Sequence, residues 1–168
     1  LTVEGGCAAD ANCSLAGALA GLRSATAAGL SAVIHLDAGE HTLDEAPFAL
    51  DVRIRASEVR LVGAPGASLR AGGGNATVLR VRAGAPRLSL LGLLLYSQLA
   101  IEGGEFHTSN CTFSNSSADL GGALQLSAGA LNAEGTAFVR CTARRGGAVH
   151  VSGGTASFSD CRFEQCSA

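Results

Sequence analysis

Acidic side chains are the first candidates for chemistry in this chain, because paired carboxylates cleave glycosidic bonds and clustered oxygens bind calcium. One short stretch contains four acids with two histidines nearby, which makes a metal site one interpretation: Asp37, Glu40, Asp44 and Glu45, with His35 and His41. Their spacing matches no metal-binding motif. We therefore interpret this stretch as a solvated turn.

Arginine is the second candidate, since all twelve basic residues are Arg and none is Lys. Arg53 and Arg55, and likewise Arg80 and Arg82, flank a single apolar residue, which predicts outward rows that stack. Such a basic strip would bind acidic glycans or an acidic protein face, and solvated outer faces are the competing interpretation. A net charge of −2 and the lack of interleaved aromatics argue against nucleic acid as a partner.

Glycosylation and cysteine signals point to an oxidising compartment. Six cysteines accompany Asn-x-Ser/Thr sequons at Asn12, Asn75, Asn110 and Asn115. No stretch is long and apolar enough to insert into a membrane. We therefore expect a secreted, extracellular or cell-surface glycoprotein.

A repeat in the last third of the chain must position all of these groups. Phe113, Phe138 and Phe163 lie 25 residues apart, and Gly121-Gly122-Ala123 returns at the same offset as Gly146-Gly147-Ala148. A fixed period of this size is typical of a solenoid.

Alternation inside the period identifies the type of solenoid. Leu99 and Ile101 alternate with polar or small residues, and the same positions recur as Leu124 and Leu126. A helical repeat needs apolar residues at i, i+3, i+4 and i+7, and these are missing. The sequence predicts an all-β parallel β-helix of about six coils, the last incomplete. The phenylalanines should form an inward column and the Gly-Gly-Ala positions a corner.

Coil stacking at about 4.8 Å constrains the cysteines. Cys141 and Cys166 share a repeat position one coil apart, which is within disulfide range. Cys111 and Cys161 are two coils apart, roughly 9.6 Å, which is too far to bridge. We predict the disulfides Cys141–Cys166 and, closing a small N-terminal loop, Cys7–Cys13, with buried free thiols as the alternative.

Two regions divide the chain. Residues 1–29 predict a cap made of a short strand, a cysteine loop and an amphipathic helix. Residues 30–168 predict the coils, which become regular from about residue 99 and which we expect to continue beyond residue 168.

The repeat register also tests for a catalytic groove. Glu105 should stack on Ala130 and Thr155, and Asp119 on Arg144. No column of the regular region holds two carboxylates, as glycoside hydrolysis requires. We predict no catalytic residue, no metal ligand and no cofactor.

Several segments in order carry a family resemblance that covers nearly the whole chain, beginning with Cys13-Ser-Leu15 near the Ala-rich helix. Val59-Arg-Leu-Val-Gly-Ala-Pro-Gly-Ala-Ser-Leu69, preceded by Ile34-His-Leu36, resembles the pectin-lyase-like right-handed parallel β-helix family. The recurrent Cys-x-Phe, as in Cys111-Thr-Phe113, followed by Gly-Gly-Ala, is similar to polymorphic outer-membrane-protein and adhesin repeats. The resemblance implies a right-handed parallel β-helix with an N-terminal capping helix. That family contains lyases, hydrolases, adhesins and passive stalks, so the resemblance indicates the fold more than the function.

Two functions follow as hypotheses. The first is a non-enzymatic structural or adhesive module of a larger surface or filament glycoprotein, with extracellular proteins or copies of itself as partners through end-to-end or lateral packing. The second is a carbohydrate-binding or polysaccharide-cleaving domain with a groove along the Arg-rich coils 51–90.

Overall fold

The described part of the chain is a β-solenoid of about five turns. It is built from parallel strands, with one short helix at the N-terminal end. The structure, a computed structural model, describes residues 2–7, 15–24, 29, 31–44, 47–51, 53–73 and 77–168. The predicted parallel β-helix is therefore confirmed.

Three stacked sheets form the walls of the solenoid. Sheet 1 contains β1 (Thr2–Cys7), β2 (Ser31–Leu36), β5 (Glu58–Gly63), β8 (Arg87–Leu91), β11 (Glu105–Ser109), β15 (Ala130–Glu134) and β19 (Thr155–Ser159). Sheet 2 contains β4 (Phe48–Leu50), β7 (Thr77–Val81), β10 (Gln98–Ile101), β14 (Leu124–Leu126) and β18 (Val149–Val151). Sheet 3 contains β3 (Gly39–Leu43), β6 (Ala67–Ala71), β9 (Leu94–Leu95), β12 (Thr112–Ser114), β16 (Ala137–Val139) and β20 (Arg162–Glu164). A separate pair joins β13 (Ser117–Leu120) to β17 (Thr142–Arg145).

Alternating side chains explain why these segments become strands. In β2, Ala32, Ile34 and Leu36 are buried, and the residues between them face outward. The same alternation recurs in β15, where Leu131 and Ala133 are buried. Each inward row lies on the row of the next coil, so the apolar side chains form one continuous core.

The phenylalanine column lies on the inner side of three successive strands of sheet 3, β12, β16 and β20. Phe113 pairs with Phe138 and Phe138 with Phe163 in strand register. Their ring centroids lie 5.3 Å and 4.7 Å apart, and the ring planes are within 9° of parallel. Phe113 and Phe138 are fully buried. The predicted inward column is confirmed.

Corners between the sheets depend on backbone conformation. Gly121 and Gly146 adopt positive φ angles of 59° and 73° at the Gly-Gly-Ala positions. A Cβ on Gly122 would lie 2.6 Å from the carbonyl oxygens of Gly147 and Thr142, so no side chain fits there. The predicted Gly-Gly-Ala corner is confirmed.

Helix α1 (Leu15–Ser24) covers the N-terminal end of the core. Leu15 and Leu19 are buried in the core cluster, and the helix packs against β1, β2 and β3. β1 pairs with β2 and extends sheet 1 by one strand. Within the described residues, no helix is both long and apolar enough to span a bilayer.

Candidate functional site

The outer face of sheet 1 carries the densest set of polar side chains that face one another across neighbouring coils. Register places Glu58 beside Arg87, and Arg87 reaches Glu105 on the next coil. A parallel row contains Arg60, Ser89, His107 and Asn132. We call these seven residues the sheet-1 groove.

Glu58 is the most constrained acid of the groove. The Ser89 hydroxyl donates to Glu58 Oε1 at 2.7 Å, and Arg60 Nε lies 3.0 Å from Oε2. Burial penalises the charged carboxylate and raises its pKa, but the Ser89 hydrogen bond and the Arg60 and Arg87 guanidiniums outweigh that effect. The pKa of Glu58 is therefore below its ordinary value.

Arg87 lies between two acids of the groove, Glu58 and Glu105. Its Nε donates to Glu105 Oε2 at 2.7 Å, and its Nη2 also contacts that oxygen. The guanidinium thus lies between the acids of β5 and β11. Both side chains of the Arg87–Glu105 pair are more than half exposed, so a ligand can reach them.

The groove has a volume of about 470 Å³ and opens to solvent. An acid catalyst in glycoside hydrolysis needs a raised pKa, and the lowered pKa of Glu58 is the opposite of this. Charge-paired acids with hydroxyl, imidazole and amide neighbours are instead suited to hydrogen bonding of a polar ligand.

Sequence reasoning hypothesised a groove along coils 51–90 but did not identify the residues that face one another on sheet 1, because the coils that form it differ in length. Glu58 and Arg87 are 29 residues apart and Arg87 and Glu105 only 18, so a 25-residue register does not align them. The strands β5, β8 and β11 nevertheless share a sequence pattern at their first residues. Each strand begins polar–apolar–polar, as in Glu58-Val59-Arg60, and aligning these starts would have placed the three charges in one row.

The predicted stacking of arginine rows is wrong. Register places Ala49, not Arg53, opposite Arg80. Arg53 lies in a turn after β4, where its backbone N–H donates to Asp51 Oδ1 at 2.9 Å. The spacing of the arginines suggested a strand there, but the strand ends at Leu50, before the first arginine pair.

Arg80 and Arg82 contact an acid of the next coil instead. Their guanidiniums lie 2.8 Å and 4.0 Å from Glu102 carboxylate oxygens. Arg55 is exposed, and its carbonyl accepts a hydrogen bond from the N–H of Gly29 at 3.0 Å. The four arginines therefore do not form one basic strip.

The other predicted columns are found as expected. Glu105 pairs with Ala130, and Ala130 with Thr155. Arg144 Nε lies 3.2 Å from Asp119 Oδ1 across the β13–β17 pair.

The described side chains of the acidic stretch near residue 40 make separate contacts and do not share one site. Glu40 lies 3.3 Å from Arg70 of the next coil, and the buried His41 Nε2 lies 3.0 Å from the carbonyl of Asp37. Within the described part of the chain, no group of three His, Cys, Asp or Glu side chains could hold a metal ion.

Two sequons are described, and both are on corners. Asn110 and Asn115 are exposed and adopt positive φ angles of 50° and 52°. Asn is among the few residues that tolerate this conformation, so backbone geometry also explains their presence. Asn12 and Asn75 lie outside the described residues. Glycosylation stays a prediction at all four sites.

Cysteines lie in two inward columns. Cys141 and Cys166 are on neighbouring coils and are free thiols in this structure. Burial, together with the adjacent Cys166, raises the pKa of Cys141 to about 12, and burial raises the pKa of Cys111. The disulfide between Cys141 and Cys166 stays a prediction. The predicted Cys7–Cys13 bridge lies outside the described residues, because Cys13 and the side chain of Cys7 are not described.

Comparisons with protein families, with curated proteins and with solved structures find no match to this chain.

Proposed function

We propose that this chain is a non-enzymatic structural or adhesive module of a larger extracellular or cell-surface glycoprotein. Its role is geometric: stacked coils present glycans and turns at fixed spacing to other extracellular proteins or to copies of the same chain. The resemblance to pectin-lyase-like and adhesin repeats motivates the extracellular setting.

One observation carries this proposal. The core runs without interruption from helix α1 through the stacked coils, and the rings of Phe113, Phe138 and Phe163 stack in one column. Stacked coils of this kind form an extended surface that suits a spacer or a binding platform. The acids support the same proposal, because Glu58, Glu102 and Glu105 are all paired with arginines and are not arranged as an acid and a nucleophile.

Assays on acidic polysaccharides test the non-enzymatic part of this proposal. We expect no release of products, because Glu58 and Glu105 are paired with Arg60 and Arg87 and are not arranged as an acid and a nucleophile. Release of products that Glu58→Gln or Glu105→Gln abolishes would contradict the proposal.

A second candidate function is supported by the sheet-1 groove, which crosses the Arg-rich coils. There we propose binding of an acidic or polyhydroxylated glycan, with Arg87 and Glu105 as hydrogen-bonding partners. The groove is open, so an extended saccharide could lie across several coils.

Glycan-array binding tests this second candidate. Arg87→Gln should weaken binding at least tenfold, since hydrogen bonds to charged groups contribute about 1.5–3 kcal/mol. Arg82→Gln removes an arginine outside the groove and should leave binding unchanged. Equal losses in both variants would indicate a diffuse charge effect, and no binding in the wild type would reject the groove as a glycan site.

A further inference from the structure

The ion pair between Arg87 and Glu105 lies where two cavities meet on the outside of the solenoid. One is the sheet-1 groove, which follows the strands from this pair onward and contains Ser89 and His107. The other has a volume of about 510 Å³, and Glu58, Arg87 and Glu105 line both cavities. A ligand long enough to occupy both cavities therefore contacts the Arg87–Glu105 pair.

The second cavity is lined by turns that come just before β5, β8 and β11, and we call it the turn cavity. Besides the three shared residues, its lining consists of small residues: Ser57, Gly84, Ala85 and Gly104. None of these four carries a charge or a long side chain. The shared charged residues are therefore the groups of the turn cavity that can select a ligand.

The charges around the ion pair are already matched. Arg60 Nε lies 3.0 Å from Glu58 Oε2, and Arg87 Nε donates to Glu105 Oε2 at 2.7 Å. The groove is lined by two acids and two arginines, whose formal charges cancel. An anionic ligand would approach Arg87 between Glu58 and Glu105, and like charges at close range are strongly unfavourable. The groove therefore disfavours polyanions.

The Arg87–Glu105 pair keeps unused hydrogen-bonding capacity. Its contacts involve the guanidinium Nε and Nη2 and one carboxylate oxygen, Oε2. A guanidinium has more N–H donors, and a carboxylate more lone pairs, than these contacts use. Since both side chains are more than half exposed, the remaining donors and acceptors face solvent. The pair thus presents a donor and an acceptor side by side without being broken.

Two hydroxyl groups on adjacent carbons match this arrangement. One hydroxyl donates to Glu105 and the other accepts from Arg87, so that neither charge loses its partner. Adjacent hydroxyl groups are the recurrent feature of sugar rings. Leu91 and Ala130 also line the groove as half-buried apolar side chains, which suit the C–H face of such a ring.

We propose that the sheet-1 groove and the turn cavity bind a neutral oligosaccharide, and that Arg87 and Glu105 together bind two adjacent hydroxyl groups of one of its rings. This deepens the glycan-binding function proposed above and rests on it. A neighbouring ring lies over the next outward row of the groove. Hydroxyl, imidazole and amide groups are available there, from Ser89, His107 and Asn132.

A glycan array with matched neutral and acidic probes tests the ligand class. Oligomers of glucose, galactose and mannose are printed beside their uronic acid counterparts. Glu105→Gln removes the charge but keeps the size of the side chain, so binding of a neutral oligomer should weaken about tenfold. Binding of an acidic oligomer would strengthen instead, because a repelling carboxylate is removed.

Glu102→Gln is the matched control for this substitution. Glu102 also pairs with an arginine, Arg80, but lies outside both cavities. The control should bind neutral oligomers as the wild type does.

Monodeoxy analogues of the best neutral oligomer test the pair of hydroxyl groups. Loss of the hydroxyl at either of two adjacent carbons should weaken binding to the wild type. One of the two losses should have no further effect in Glu105→Gln, because the partner of that hydroxyl is already changed.

The outcomes separate this inference from the function on which it rests. A preference for uronic acid oligomers that Glu105→Gln strengthens would overturn the neutral class and leave glycan binding in the groove intact. Binding of neutral oligomers that ignores Glu105→Gln would overturn the role of the ion pair. No binding to any probe would overturn this inference together with the second function proposed above.

Discussion

Glu58 illustrates how neighbouring coils decide the chemistry of one residue. Sequence alone presents it as one acid before an arginine. The fold adds Ser89 from the next strand and brings Arg87 close, and together with Arg60 they keep the carboxyl ionised despite partial burial. This explains why an acid on a β-helix surface can serve structure rather than catalysis.

The lowered pKa of Glu58 predicts a pH-dependent contribution to stability. The ionised carboxylate should stabilise the fold above its unfolded-state pKa of about 4.3, and this stabilisation should be lost as the pH falls through the lower folded-state pKa. Glu58→Gln should therefore be less stable than the wild type at pH 7, with the difference shrinking below about pH 4. Urea unfolding between pH 7 and pH 3 measures this.

Substitution of glycine by alanine should change the stability of the fold in opposite directions at Gly122 and Gly21. Gly122→Ala should destabilise the fold by about 1–3 kcal/mol, because the new Cβ would press on two backbone oxygens. Gly21→Ala in α1 has no atom within 4 Å of the new Cβ and should stabilise it by about 0.5–1 kcal/mol. Denaturant midpoints of both variants measure this. Equal changes in stability for the two variants would mean that the Gly-Gly-Ala corner accommodates the added Cβ without cost.

At the scale of elements, the strands of the regular coils were predictable and the connections of the earlier coils were not. Phe113, Phe138 and Phe163 recur at one period, so their shared register followed from counting. Arg53 and Arg80 show the limit. Their similar local patterns suggested equivalent strands, but hydrogen bonding of β7 to β4 placed Arg80 beside Ala49.

The phenylalanine column predicts that removing a ring lowers the free energy of unfolding more at Phe138 than at Phe163. Phe138→Ala should cost about 3–5 kcal/mol, since a fully buried ring is lost. Phe163→Ala should cost clearly less, because its ring is half exposed at the end of the column. Urea denaturation of the two variants compares them. A near-neutral Phe138→Ala would contradict the role of the column as core.

At the scale of the whole molecule, a solenoid is stabilised mainly by contacts between neighbouring coils. The three long sheets stack five to seven strands, whereas β13 pairs with β17 alone among the described strands. Stability should therefore differ between the long sheets and the β13–β17 pair.

Hydrogen exchange can measure this difference. Amides of β13 should exchange faster than those of β11, because β13 pairs with β17 alone among the described strands and β11 lies between β8 and β15. Mass spectrometry of the exchanged peptides gives the two rates. Uniform exchange along the chain would indicate a single cooperative unit.

The sequence by itself determined the solenoid, its inward aromatic column and its glycine corners, because these depend on periods of 2 and 25 that the chain carries locally. Only the tertiary structure decided which outward side chains meet. Coils of unequal length precede residue 99, so Glu58, Arg87 and Glu105 become neighbours through hydrogen-bond register between strands. Strand pairing also decided that Arg80 lies beside Ala49 and not beside Arg53. Contacts between coils depend on where each strand begins and ends in space, and local sequence patterns do not specify that.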